Sequence, residues 1–318
     1  MVDVEFSPYE LKSKIGNNRK GALLKVIFNS GGIGYADCHV WPELGDPSLE
    51  EMMGHIRFKR NDHPHFKNMI INAYIDLCSR RDKRLVGYEN HIIKNHYLFP
   101  SVENLSHQFL EKLKDEGYSH IKLKVGRDID REAEKIIKSF SSCSSFKIRL
   151  DFNARVNKHE YINFLTSLTK KKLPIEFCED PFPYDIDEWT QVQKETGIPI
   201  AADRYANKIF QEKEFPFIII IKPAVDNITE IANRIKKQKF VVTSYLDHPI
   251  GQVAAAFHAQ NLDLRFPKNG MCHGLLSHHV YEPTDYSKQL SQKGPYFVFP
   301  KGYGFGYGEQ LRKESWIP

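Results

Sequence analysis

The chain has 318 residues, 41% of them hydrophobic and 27% charged, with a formal net charge of +5. That composition is ordinary for a globular protein with one large domain or two modest ones, and it excludes a disordered chain. The basic excess is mild and scattered, with small clusters only at 79–84 and 170–172, which argues against a nucleic-acid interface and suits a small anionic partner.

Residues 1–40 read as strands, with a hairpin around the SGG at 30–32. The segment 65–84 reads as a helix, with Met69, Ile70, Ala73 and Leu77 at helical spacing. His63 and His65 flank Pro64 and read as surface histidines rather than a metal pair. Pro100 marks a boundary. Ser101 is the expected N-cap of a helix over 102–116 that ends at Gly117, with Leu105, Phe109 and Leu113 on one stripe.

Short apolar runs then alternate with helical patterns. The runs are 121–125, 147–153, 175–180, 198–203, 217–222 and 239–247, with 262–266 as a seventh strand and 272–277 as the last. Helices are expected over 130–140, 158–170, 187–196, 227–237 and 250–260, with a capping box from Asn227 and Glu230. Repeated βα units predict an α/β fold with a parallel sheet, and so long a series predicts a barrel. The tail 297–310 alternates glycine with aromatics. It has no following helix pattern that would make it a phosphate loop, and it reads as a segment returning to the N-terminal region.

Each run carries a charge at or near its C-terminal end, where a barrel builds its site. Strand periodicity puts Lys122 and Lys124 on one face, and Arg149, Asp151 and Asn153 on another. If those faces point inward, Asp151, Glu179 and Asp203 meet the lysines at the mouth. Three converging carboxylates repel one another, and an oxygen-only set that binds Mg²⁺ relieves this. Taken singly, each acid is better explained as a helix cap or a loop ion pair, so the joint pattern carries the metal reading. Asp180 points the other way from Glu179. Arg149 and Asn153 would support the site by hydrogen bonding. Lys222 ends the most apolar run of the chain, where an unpaired ammonium is costly, so it needs an anion. Ser244, Asp247 and Gly251 follow the sixth strand, at a turn before a helix N-terminus.

These motifs resemble the enolase superfamily, muconate-lactonising subgroup: KxK in IKLKV, then RLDFN, CEDP, IAAD and IIKPA. The gaps 179 − 151 = 28, 203 − 179 = 24 and 222 − 203 = 19 each hold about one helix and one strand. The resemblance implies a modified TIM barrel (β/α)7β with an N-terminal α+β capping domain. The cap would span 1–99, the barrel 100–283, and a tail over 284–318 would return to the cap. It implies Mg²⁺ on Asp151, Glu179 and Asp203, Lys124 as general base, and Lys122 and Lys222 as its catalytic partners. Lys122 would help lower the pKa of Lys124 from its ordinary value of about 10.4. The segment 36–46 would be a lid placing Trp41, Pro42 and Leu44 over the substrate. Ser244, Asp247 and Gly251 would hold part of that substrate.

Within the subgroup, the short chain and RLDFN most resemble the o-succinylbenzoate synthase family. That implies syn dehydration of 2-succinyl-6-hydroxy-2,4-cyclohexadiene-1-carboxylate in menaquinone synthesis. An N-acylamino acid racemase and a muconate cycloisomerase use the same lysine pair and remain open, and a metal-free barrel serving as a binding module is the non-enzyme alternative. Two departures stand out. Asp203-Arg204-Tyr205 replaces the usual Asp-Glu-Ser, and CHGLLSHHV lacks the Asp-x-Asp of dipeptide epimerases. His278 and His279 read as surface residues.

Cys38, Cys78, Cys143, Cys178 and Cys272 are far apart and form no CxxC, so neither a disulfide framework nor a thiolate metal site is expected. No apolar run approaches the ~20 residues of a membrane span. The start MVDVEFSPYE lacks a signal-peptide pattern, so the expectation is a cytoplasmic protein without membrane or nucleic-acid partners.

Overall fold

The computed structural model describes residues 2–58, 64–88, 90–141, 145–210, 212, 214–235, 237–290 and 292–318. His63 and Cys143 lie outside them. The N-terminal part is a meander of β1 (Val2–Leu11), β2 (Arg19–Phe28) and β3 (Ile33–His39), followed by α1 (Leu49–Arg57) and α2 (Pro64–Arg81). The β2–β3 hairpin turns at Gly31 and Gly32, whose φ of 76° and 110° are open to glycine. Phe6, Leu24, Val26 and Ala36 on the sheet pack with Met69 and Ala73 on α2 in a core of their own.

The larger part alternates strands with helices: β4 (Tyr97–Phe99), α3 (His107–Asp115), β5 (His120–Lys124), α4 (Ile129–Phe140), β6 (Lys147–Asp151), α5 (Lys158–Lys170) and β7 (Ile175–Glu179). Then come α6 (Ile186–Thr196), β8 (Ile200–Ala202), α7 (Ala206–Ile209), β9 (Ile218–Ile221), α8 (Ile228–Arg234), β10 (Phe240–Val242) and α9 (Pro249–Arg265). The seven strands form a parallel sheet in chain order. Residues 270–274 close it. Met271 and Gly274 donate to Phe240 and Val242 on β10, while His273 exchanges backbone hydrogen bonds with Lys94 and His96, just before β4.

Several sequence expectations change here. LDLRF is the end of α9, not a seventh strand. A short apolar run has no period of its own, and here it continues an alanine-rich helix. The strand that completes the count is β4, three residues just ahead of Pro100. Ser101 caps only a short 3-10 turn over Val102–Asn104, and α3 starts after the N-cap Ser106. Asn227 accepts from Glu230 N, so that side of the expected capping box forms. The tail bridges back to β1, Ile317 pairing with Phe6, and ends in α10 (Gly308–Lys313) and an extended segment.

His65 is buried, not exposed, and lies 3.2 Å from Asp46. His278 and His279 are half-buried. His279 stacks on Tyr97 and its Nε2 lies 3.2 Å from the Leu98 carbonyl, because the chain after the closing strand packs over β4. The four described cysteines are free. No described helix is long and apolar enough to cross a membrane.

Candidate active site

Parallel pairing brings the charged strand ends to one side of the sheet. In register, Lys124 stands beside Asp151, and Asp151 beside Glu179. Asp203 follows β8 directly and Lys222 follows β9. β5 and β9 are four strands apart in a ring of seven strands and a closing segment, so Lys124 and Lys222 approach from opposite walls. Both line a cavity of ≈ 350 Å³ together with Lys122, Asp151 and Asp203.

Ammonium–carboxylate pairs organise this floor. Lys122 Nζ donates to Glu179 Oε1 and Oε2 at 2.7 and 2.8 Å and lies 3.0 Å from Asp151 Oδ2. Lys222 Nζ donates to Asp203 Oδ2 at 2.5 Å. Lys124 Nζ is farther from its neighbour, 3.8 Å from Asp151 Oδ2. The electrostatics follow. Burial pushes the Lys124 ammonium pKa down, and Lys122 and Lys222 add to that against the pull of Asp151. Burial pushes Lys122 and Lys222 down too, but their carboxylate partners outweigh it and both end above the ordinary lysine value. Asp151 is raised by burial, yet Lys122 and Lys124 bring it down to about 2. Glu179 is pushed up to about 8 by burial and by Asp151, with Lys122 opposing.

The expected convergence of three carboxylates on one point is not how they stand. Among the described residues, no three His, Cys, Asp or Glu side chains are grouped to hold an ion. Lys122 stands between Asp151 and Glu179, and Lys222 draws Asp203 toward β9. The donor chemistry nonetheless fits Mg²⁺: three carboxylates at neighbouring strand ends, one of them strained by surplus buried negative charge.

Asn153 Nδ2 donates to Asp151 Oδ1 at 2.7 Å, from a backbone with a left-handed φ of 51°. Arg149 does not contact the Asp151 carboxylate. It lies a layer deeper, donating to Glu176 and Cys272 O, with Nη1 2.9 Å from His96 Nδ1. Asp180 turns away from Glu179, as expected, and accepts from the backbone N–H groups of Asp203 and Arg204 at 3.0 Å, which orients the Asp203 loop.

Of the expected substrate contacts, Trp41 and Ser244 line the cavity, and so does Leu44 of the lid segment. Trp41 Nε1 donates to the Tyr245 carbonyl at 2.9 Å, and Arg19 stacks 3.7 Å over its ring. Asp247 and Gly251 do not reach this cavity. They line a separate one of ≈ 20 Å³, with Asp37 and His39 of β3, because the chain after Leu246 turns outward toward α9.

Three further residues escaped the sequence reading. His96 lines the cavity and is held neutral by burial and by Arg149. Asp226 accepts from Lys222 N at 2.6 Å and so fixes that turn. Tyr245 forms part of the wall and its hydroxyl donates to Asp46 of the 36–46 segment. His96 and Tyr245 carry no sequence signal of their own, because their partners Arg149 and Asp46 are distant in the chain, whereas Asp226 acts locally, four residues after Lys222.

Known proteins share this fold. Residues 105–216 match the family described as enolase C-terminal domain-like, and residues 4–78 match that of the o-succinylbenzoate synthase N-terminal domain. An o-succinylbenzoate synthase of Bdellovibrio bacteriovorus is 36% identical over 99% of this chain and 98% of its own. The solved L-Ala-D/L-Glu epimerase of Bacillus subtilis superposes with a TM-score of 0.77 at 18% identity, over 96% of this chain and 97% of that one. The muconate lactonizing enzyme of Pseudomonas putida gives 0.76 at 14% identity, over 99% and 98%. At such identities these two structures speak to fold alone, whereas the full-length relative speaks to kinship. The chain therefore belongs to the enolase superfamily, within the o-succinylbenzoate synthase family of its muconate-lactonising subgroup, and is an enzyme of the carbon–oxygen lyase class.

Proposed function

We propose that the protein dehydrates 2-succinyl-6-hydroxy-2,4-cyclohexadiene-1-carboxylate to 2-succinylbenzoate, a step of menaquinone synthesis in the cytoplasm. The observation that carries this reading is the asymmetry of the lysines: Lys124 Nζ stands 3.8 Å from its nearest carboxylate, whereas Lys122 and Lys222 are ion-paired at 2.7 and 2.5 Å, and the pKa directions agree. A neutral amine is what a general base must be. Lys124 takes the proton from the carbon bearing the ring carboxylate. Negative charge then develops on that carboxylate, where Lys122 and Lys222 stabilise it. Lys124 returns the proton to the departing hydroxide, which leaves as water, and the ring becomes aromatic.

Superfamily members generally use Mg²⁺. Asp151, Glu179 and Asp203 would hold it, and it would bind the substrate carboxylate and withdraw charge from it. In the same reading, the residues before β4, together with 284–318, form a cap over a barrel that begins at β4 rather than at residue 100. The cap's Trp41 loop excludes water from the cavity.

Two-base epimerisation is the second reading, favoured by the lysines on opposite walls. It would require Lys222 to act as base in one direction, against its pairing with Asp203. The test is to mix enzyme, Mg²⁺ and the cyclohexadiene acid and follow loss of the diene absorbance. Rapid dehydration, lowered roughly 10²- to 10⁴-fold in Lys124→Ala, supports the reading. Deuterium uptake at the α-carbon of N-succinyl amino acids without dehydration replaces it with epimerisation.

A further inference from the structure

Six cationic side chains line the cavity: Arg19, Lys122, Lys124, Arg155, Arg204 and Lys222. Four already face carboxylates. Arg19 meets Glu43 at 2.5 Å, Lys122 meets Glu179 and Asp151, Lys222 meets Asp203, and Lys124 lies 3.8 Å from Asp151. Arg155 and Arg204 are left over. Arg155 makes no side-chain hydrogen bond or ion pair among the described residues. The Arg204 guanidinium has one partner there, the uncharged Asn153 Oδ1 at 3.0 Å.

The two arginines share one edge of the mouth. Arg155 lies four residues beyond Asp151 on the β6–α5 loop, and Arg204 follows Asp203 after β8. Asn153 ties Arg204 to the floor, since it donates to Asp151 and accepts from Arg204, while Arg155 stands two residues farther along the same loop, and both arginines are exposed at the cavity rim. Backbone anchoring of Arg204 N on Asp180 fixes where that side chain starts.

We propose that Arg155 and Arg204 form the subsite that holds the second carboxylate of the proposed substrate, the one at the end of its succinyl arm. The inference rests on the reading that the Lys122–Lys124–Lys222 floor takes the first carboxylate. A guanidinium grips a carboxylate with paired N–H donors, and two unanswered positive charges at a cavity mouth also draw a dianion inward. Arg155 and Arg204 are positioned to decide which acid binds, not to move a proton.

Calorimetric titration with 2-succinylbenzoate and with benzoate tests this. The native enzyme should bind the dicarboxylate at least about 10-fold more tightly. Arg204→Gln and Arg155→Gln should each weaken that ligand by about 3- to 10-fold, while benzoate binding stays constant. In turnover the loss should fall on KM and leave kcat nearly unchanged. Equal loss for both ligands, no loss for either, or a native enzyme that binds both alike overturns the subsite. An enzyme that prefers dicarboxylates through these arginines but never dehydrates the cyclohexadiene acid keeps the subsite and removes the proposed reaction.

Discussion

The open cavity at the strand ends and the small closed one beneath the lid are both lined by acids, but by opposite rules. In the open cavity Asp151, Glu179 and Asp203 each have an ammonium partner within 3.0 Å. In the closed one Asp37 and Asp247 face one another, and among the described residues no lysine or arginine lines the space. A Cβ built on Gly251 would lie 2.6 Å from Asp37 Oδ2 and 2.7 Å from Asp247 Oδ2. His39 and His248 beside them are kept uncharged, each pushed down to about 3 by burial. Burial drives Asp37 well above the carboxylate range, reinforced by Asp247, and drives Asp247 up to about 7. Acids are thus paired with ammonium groups where a substrate can reach them and left without such partners where the N-terminal sheet meets α9. The first space is suited to chemistry, the second to holding two parts of the molecule together.

The largest effect expected from breaking this contrast is at Lys122. Replacing it with Met leaves Asp151 and Glu179 buried without their shared ammonium. Breaking a buried ion pair in this way costs about 3–5 kcal/mol, read as a fall in the urea midpoint. A Met variant as stable as the native enzyme would mean that the pairing does not organise the floor.

Asp247→Asn probes the closed cavity with the opposite sign. An aspartate raised to about 7 in the fold, against an ordinary value of about 3.9, binds more protons folded than unfolded between those pH values. Native stability should therefore be full below about pH 4 and fall as pH rises through about 7, by no more than about 4 kcal/mol. The Asn variant cannot ionise, so its urea midpoints at pH 5 and pH 8 should lie closer together. Parallel pH profiles for the two proteins would show that Asp247 is not the group responsible.

How much of this was legible in the sequence depends on whether a feature is local. Lys122, Lys124, Asp151, Glu179, Asp203 and Lys222 were readable because a parallel strand puts its last residues at the mouth whatever surrounds it. Asp247 and Gly251 were misjudged because their direction depends on Leu246, whose left-handed φ of 54° turns the chain away from the cavity. Arg149 shares the parity of Asp151, but parity cannot tell adjacent layers of a barrel apart, and its partners His96 and Cys272 lie 53 and 123 residues away. The strand β4, only three residues long, holds too little pattern to place alone. LDLRF was lost to the opposite problem, an apolar run that fits either period.

Between the two cavities runs the Trp41 loop, and Tyr245→Phe offers the finest test of how it is held. The Tyr245 hydroxyl donates to Asp46 Oδ2 at 3.0 Å, an oxygen that also accepts from Trp41 N at 2.8 Å. The variant loses that one bond. It keeps the Tyr245 carbonyl that accepts from Trp41 Nε1, and it keeps an aromatic ring 5.6 Å from the Lys222 ammonium. One partly buried hydrogen bond contributes about 1 kcal/mol, so KM should rise about 5-fold, with kcat nearly unchanged. Asp46→Ala removes the contacts to Trp41, Tyr245 and His65 together, and its effect on KM should be larger. If both variants instead lowered kcat and left KM alone, the loop would be acting on the chemistry through Lys222 rather than closing over the substrate.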